Sequence, residues 1–220
     1  MNRKERLVKL KAIDIYPVTC QKLSEGRTNL EVLAAVLAGG AKIIQLREKH
    51  WDKKDLYELA IKFRELTRSH DALLIINDHV DVALAAGADG VHLGQEDLPI
   101  RAARKIAPEL IIGASSHNLM EALKTEQDGA DYVNIGPIFP TKTKENTGPF
   151  LGPGAISEIG PQLTVPFTTM GGINPDNISL VLEAGARRVA MITGITRAAD
   201  IADRVRRLRK TITDYYDHSP

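Results

Sequence analysis

Two short apolar runs in this sequence each lead into an acid: Leu73-Leu-Ile-Ile-Asn-Asp78, and Gly90-Val-His-Leu-Gly-Gln-Glu-Asp97. Between them a helical segment over residues 80–86 closes on Gly87. Strand, helix and strand in so short a span predict a right-handed crossover joining two parallel strands. Both acids then leave the sheet at its C-terminal edge. Neighbouring parallel strands sit about 4.8 Å apart, so Asp78 and Asp97 can converge on one cation. The plainer alternative is that each acid caps the helix that follows it.

Such a crossover needs a sheet around it, and the rest of the chain supplies one. Apolar runs over residues 13–19, 42–46, 73–77, 90–93, 110–114, 132–135, 165–169 and 188–192 read as eight strands. Helical patterns alternate with them. Leu30, Leu33, Ala34 and Leu37 share a face behind Asn29 as N-cap, and Leu56, Leu59, Ala60 and Phe63 share another behind Asp52. Further helices are expected over 99–106, 119–127, 153–159, 175–184 and 199–214, and residues 1–11 read as a basic arm or short helix. A weak repeat, Gly-Ala-x-x-(Ile/Val), recurs at Gly40, Gly87, Gly129 and Gly185. At each, a helix ends and a strand begins. Eight strands alternating with helices, without a linker or a composition break, predict one domain, a (β/α)8 TIM barrel. An open doubly wound sheet also alternates in this way, but no Gly-x-Gly-x-x-Gly follows the first strand.

In a barrel the strand C-termini and the loops after them build the site. That rim would carry Thr19 and Cys20, then Gln45, Arg47 and Lys49, then Asn77 and Asp78. Gln95, Glu96 and Asp97 follow, then Ser115, Ser116 and His117, then Thr141, Lys142, Thr143 and Lys144. Gly171 with Gly172, and Thr193 with Gly194, complete it. Three cations on one rim, Arg47, Lys49 and Lys144, point to a polyanionic ligand. Gly171-Gly172 before a helix and Thr193-Gly194 after the eighth strand match the phosphate site common in barrels. Magnesium favours one or two carboxylates completed by phosphate oxygens and water, so two acids beside these cations have the composition of a Mg²⁺–diphosphate site. The extra donors near the last two strands suggest a second, monophosphorylated ligand.

Composition narrows the classes. The chain has 220 residues, 43% hydrophobic and 26% charged, with a net charge of +1. That balance gives no bulk attraction to nucleic acid or to an anionic membrane, and no run approaches the roughly 20 apolar residues of a membrane span. The single cysteine, Cys20, excludes an internal disulfide and a cysteine-rich zinc site, and reads as an inert filler. The expectation is a cytoplasmic enzyme of small phosphorylated molecules, with which a homo-oligomer is compatible. The basic run Arg204-Val-Arg-Arg-Leu-Arg-Lys210 reads as the solvated face of the closing helix. Residues 140–150 are the best candidate for a closing loop.

The ordered set Gln45-Leu-Arg-Glu-Lys49, Asn77-Asp78, Gly90-Val-His-Leu-Gly-Gln-Glu-Asp97, Gly113-Ala-Ser-Ser-His117, Gly136-Pro-Ile-Phe-Pro-Thr-Lys-Thr-Lys144 and Gly171-Gly172 resembles the thiamine phosphate synthase family over roughly residues 12–205. The resemblance implies condensation of 4-amino-5-hydroxymethyl-2-methylpyrimidine diphosphate with a thiazole ethyl phosphate, giving thiamine monophosphate and pyrophosphate. By similarity, Asp78 and Asp97 bind Mg²⁺. Gln45, Leu46, Arg47, Glu48, Lys49, Asn77, Ser115 and Lys144 bind the pyrimidine diphosphate, with Arg47, Lys49, Lys144 and Ser115 acting in catalysis. Thr141, Lys142, Thr143, Gly171, Gly172, Ile192 and Thr193 bind the thiazole phosphate. Cys20 stands where the family usually has an acid. Two other classes compete: a thiazole tautomerase, the sister family, using His117, and a non-catalytic binder of phosphorylated ligands. His92, on the fourth strand, is expected to point away from the metal, into the barrel or its wall.

Overall fold

A helix followed by a strand needs a residue that can reverse the backbone, and the repeat glycines provide it. Gly40, Gly87, Gly129 and Gly185 have φ of +88°, +61°, +97° and +100°, the left-handed region that glycine enters without a Cβ penalty. The alanine after each is buried and leads into the next strand, which begins two or three residues on. The computed structural model describes residues 1–141 and 149–217. Its strands are β1 (Ile15–Pro17), β2 (Ile43–Leu46), β3 (Leu73–Asn77), β4 (Gly90–Leu93), β5 (Ile111–Ser116), β6 (Tyr132–Ile135), β7 (Phe167–Thr169) and β8 (Val189–Met191). All pair in parallel in one eight-stranded sheet of order β1-β8-β7-β6-β5-β4-β3-β2. A parallel bridge between Val18 and Gln45 closes β1 on β2. The expected (β/α)8 barrel is therefore what forms.

The helices are α1 (Arg3–Lys11), α2 (Asn29–Ala38), α3 (Lys53–Ser69), α4 (Val80–Ala85), α5 (Ile100–Ile106), α6 (Leu119–Gln127), α7 (Gly154–Ile159), α8 (Ile178–Glu183), the short α9 (Thr193–Thr196) and α10 (Ile201–Asp217). Strand side chains alternate between two cores. Leu46, Leu74, Ile76, Val91, Leu93, Ile112, Val133 and Ile135 face outward and pack under the helices. Ile43, Leu73, Ile75 and Ile111 face inward and fill the lower barrel with Leu10 and Ile13.

The N-terminal segment does more than decorate the surface. An Asn2–Glu5 capping box starts α1, and Leu10 is fully buried in the barrel base. Arg3 pairs with Asp131 at 2.5 Å, Arg6 with Asp89 at 3.2 Å, and Lys9 with Asp71.

Several local expectations change. Thr28, not Asn29, caps α2, through a capping box with Glu31; the Asn29 amide is buried and donates to Glu48. Asp52 precedes α3 without a side-chain capping bond. The fifth strand runs on to Ser116, and the eighth helix starts only at Ile178. The basic run of α10 is not simply a solvated face. Arg204 donates to the Gly194 carbonyl at 2.8 Å, and Arg209 binds Asp14 at 2.9 Å and the Gly40 carbonyl at 2.8 Å.

Candidate active site

The C-terminal mouth of the barrel opens into a cavity of about 1100 Å³ including its entrance. Strand parity decides what reaches it. Gln45, Asn77, His92, Ser115, Asn134, Thr168 and Ala190 occupy inward positions and line it, with Tyr16 beneath. Arg47 and Lys49 continue the inward phase of β2 past the strand end and line the same wall. By the same parity the Leu46 and Glu48 side chains turn away from the cavity, so within this segment they are not the side chains that line it. Leu46 is fully buried in the outer core. The Glu48 carboxylate accepts from the Gln21 backbone N–H at 2.6 Å and from Asn29 Nδ2 at 2.9 Å, bracing the loop after β1.

The two acids meet as the crossover predicts. Asp78 adopts φ +62° immediately after β3, a left-handed turn that Asp tolerates better than most residues. Its N–H is held by the His92 carbonyl at 2.8 Å. Its carboxylate lies 3.1 Å from Lys49 Nζ. Burial first, and then hydrogen-bond contact and repulsion with Asp97, raise the Asp78 pKa above the ordinary carboxylate value, against the pull of Lys49. Asp97 does not itself line the cavity; its Oδ2 accepts from Gly94 N at 2.6 Å, which closes the turn after β4. Neither acid caps a helix, because His79 and Pro99 take the N-cap positions of α4 and α5. The capping alternative is therefore set aside.

The opposite wall is backbone. Gly171 and Gly172 have φ of +108° and +64°. A Cβ on Gly171 would lie 2.6 Å from Pro137 Cα, and one on Gly172 2.6 Å from the Pro140 carbonyl. These glycines let two loops touch, and they do not open a helix, since residues 173–177 intervene before α8. The short α9 instead begins at the cavity, with Ile192, Thr193, Gly172 and Thr141 lining this side. No hydrogen bond within the described residues occupies the N–H groups of Gly172, Thr193 or Gly194. Lys142, Thr143 and Lys144 lie outside the described residues.

The other rim residues sort by their partners. Thr19 is fully buried, donates to the Gln45 carbonyl at 3.3 Å and accepts from Arg47 N, so it fastens the β1–β2 closure. Ser116 is buried on the Asn134 carbonyl at 3.1 Å. Gln95 and Glu96 are exposed beside the mouth. The half-buried Cys20 thiol is pushed up by burial and by Glu48, in keeping with an inert filler. His117 lines the cavity with Nδ1 held 2.8 Å from Glu121 Oε2, an arrangement that holds the ring in place. Tyr16, Asn134, Thr168 and Met170 also line the cavity. A search confined to strand ends passes over them, although alternation marks the inward phase of any strand once one of its inward residues is known.

Hard oxygen donors over cations, facing a wall of backbone N–H groups at a barrel mouth, define an enzyme for small anionic ligands. The model of thiamine monophosphate synthases matches residues 15–195. The thiamine-phosphate synthase of Caldicellulosiruptor saccharolyticus is 42% identical over 216 residues, 98% of each chain. That of Moorella thermoacetica is 46% identical over 201 residues, 91% of this chain and 96% of the other. Among solved structures, the thiamine phosphate pyrophosphorylase of Pyrococcus furiosus superposes with a TM-score of 0.87 at 39% identity, covering 94% of this chain and 98% of its own. The chain belongs to the thiamine monophosphate synthase family and is an enzyme of the transferase class. Among the described residues no helix is long and apolar enough to cross a membrane.

Proposed function

We propose that this enzyme joins 4-amino-5-hydroxymethyl-2-methylpyrimidine diphosphate to a thiazole ethyl phosphate, forming thiamine monophosphate and pyrophosphate. The observation that carries this reading is one cavity with two unlike anion walls: Arg47 and Lys49 beside the Asp78–Asp97 pair on one side, and the N–H groups near Gly172 and Thr193 on the other.

In this reading the bond from the pyrimidine methylene to the diphosphate oxygen breaks, and its electron pair leaves with the diphosphate. The aminopyrimidine ring stabilises the resulting cation. The thiazole nitrogen then attacks it with its lone pair, forming the new C–N bond. No proton moves, so no protein base or nucleophile is required. Arg47 and Lys49 neutralise the charge that builds on the leaving group, an electrostatic task suited to a partly enclosed site. Lys144 is assigned the same task, and Gln45 and Asn77 orient the pyrimidine. Thr141, Lys142, Thr143, Gly171, Gly172, Ile192 and Thr193 receive the thiazole phosphate.

The residues present fit a divalent cation. Asp78 and Asp97 are in contact, and among the described residues Lys49 is the cation paired with Asp78, which leaves a concentration of negative charge that a cation relieves. Among the described residues no cluster of three metal-ligating side chains exists, so the ion's remaining positions fall to ligand oxygens and water, as Mg²⁺ prefers. Asp78 and Asp97 would hold Mg²⁺, which supplies Lewis-acid neutralisation of the diphosphate.

The test is pyrophosphate release and thiamine phosphate formation from the two substrates, with and without Mg²⁺, for the wild type and Asp97→Ala. Full turnover by Asp97→Ala without metal would overturn the site assignment. The His117–Glu121 pair favours a second reading, a thiazole tautomerase. It predicts metal-independent isomerisation, lost in His117→Gln, with no diphosphate consumed.

A further inference from the structure

A line of polar side chains crosses the barrel interior just above its apolar plug. Gln45 Nε2 donates to the Tyr16 hydroxyl at 3.1 Å, and the hydroxyls of Tyr16 and Tyr132 are 3.0 Å apart. The Tyr132 hydroxyl lies 2.9 Å from His92 Nδ1, and His92 Nε2 lies 3.0 Å from Ser115 Oγ. The five residues come from β1, β2, β4, β5 and β6. Room for the line is built in: a Cβ on Gly113 would sit 2.0 Å from the Tyr132 ring, so glycine at that inward position of β5 admits the phenol. Tyr132 also packs on His92, with ring centroids 5.6 Å apart.

The line has a direction. An amide nitrogen only donates, so of the two partners of the Tyr16 hydroxyl only the Tyr132 oxygen can take the Tyr16 proton. The Tyr132 oxygen, having accepted, gives its proton to His92 Nδ1. Both phenols are fully buried, and burial holds them well above their ordinary pKa, so each carries the one proton this order needs. An imidazole that accepts at Nδ1 bears its hydrogen on Nε2 and donates to Ser115 Oγ. The Ser115 hydrogen is thereby left for the cavity, which that residue lines.

We infer that Gln45, Tyr16, Tyr132 and His92 form a directional hydrogen-bond relay that fixes Ser115 as a donor toward the bound ligand. Tyr132 and His92 are positioning residues, and Ser115 is the group that touches the substrate. A serine held in the opposite sense would present lone pairs to an anion; held this way it presents O–H to a diphosphate oxygen. No proton is transferred along the line. The ligand's identity rests on the proposed synthase reaction, whereas the direction of the relay does not.

Long-range ¹H–¹⁵N correlation spectra of histidine-labelled, ligand-free protein read the tautomer of His92. The expected result is hydrogen on Nε2 alone, with that preference lost in Tyr132→Phe and weakened in Tyr16→Phe. Pyrophosphate release by Tyr132→Phe is expected to fall roughly ten- to hundredfold in kcat, the range for leaving one buried polar group unpaired. Its KM for the thiazole phosphate stays within about twofold of wild type, because that phosphate lies on the other wall. His92→Gln, which keeps a donor near Ser115, retains more activity than His92→Leu. Hydrogen on Nδ1, or on both nitrogens, in the wild type overturns the inference, as does an unchanged tautomer in Tyr132→Phe. If Tyr132→Phe does not fold, the wild-type spectrum and Tyr16→Phe decide the matter. If the wild type shows the expected tautomer but releases no pyrophosphate, the proposed reaction fails and the relay stands.

Discussion

Lys49→Met separates two roles that share one carboxylate. Lys49 Nζ sits 3.1 Å from Asp78 Oδ2, with the lysine side chain 40% exposed and the aspartate 15%. If Asp78 is a metal ligand, Lys49 competes with the cation for it. At 3.1 Å in a water-like dielectric that attraction is about 1.3 kcal/mol, the end of the range suited to so exposed an ammonium. Removing it should tighten Mg²⁺ binding by up to about tenfold. The same change takes a positive charge from the diphosphate wall, so the KM for the pyrimidine diphosphate should rise and kcat should fall, each by about tenfold. Methionine keeps the length and apolar stem of lysine, which limits packing losses. Calorimetric titration with MgCl₂ at low ionic strength measures the first effect, and continuous pyrophosphate detection measures the second. Mg²⁺ binding that is unchanged or weaker in Lys49→Met would refute Asp78 as a ligand in competition with lysine, whatever happened to turnover.

Three further outcomes are expected. The Asp78 pKa is raised by burial and then by Asp97, so the folded state holds that proton more tightly than the unfolded chain does. The stability it contributes is present below the unfolded value of about 3.9 and is lost as pH rises through the folded value. Asp78→Asn should therefore raise Tm at pH 7 without metal and barely change it near pH 3; equal shifts at both would sink the argument. Asp89 is 2% exposed and accepts from Arg64 at 2.5 Å, Arg6 at 3.2 Å and Leu74 N at 2.9 Å. Asp89→Ala should cost about 3–5 kcal/mol in urea unfolding, since it strands a buried guanidinium; a loss under about 1 kcal/mol would show that solvent repairs the base. Gly171→Ala forces a Cβ to 2.6 Å from Pro137 Cα at φ +108°. It should raise the KM for the thiazole phosphate more than that for the pyrimidine diphosphate, as steady-state kinetics with each substrate varied will show.

Much of the barrel was legible because its signals are local. The bounds of β3, β4, β6 and α6 follow from apolar runs between turn residues. The four repeat glycines announced their left-handed turns through the alanine and strand that follow. Elements whose ends depend on packing were harder to read. The eighth helix starts at Ile178 because the Asn177 amide binds back to Asn174 N and the Gly172 carbonyl, holding residues 173–177 in a turn that helix propensity does not foresee. Thr28 displaces Asn29 as the cap of α2 because the Asn29 side chain has a buried partner, Glu48, nineteen residues along the chain.

For the site, the sequence alone determined which chemistry stands at the strand ends: two carboxylates one crossover apart, and Arg47 and Lys49 past β2. A strand delivers its terminal side chains to the sheet edge whatever packs around it. Alternation along the strand also implied that Leu46 and Glu48 face away, a consequence of period two that motif reading overlooks. Only the tertiary structure decided how side chains on separate strands address one another. Tyr16, Tyr132, His92 and Ser115 meet only because barrel closure brings β1, β4, β5 and β6 around one axis, and because Gly113 leaves the space. Hydrogen-bond direction is a property of the closed network, so no single stretch of the chain encodes it. The opening pair of acids is a local fact of sequence; their contact with each other, and with Lys49, is a fact of the fold.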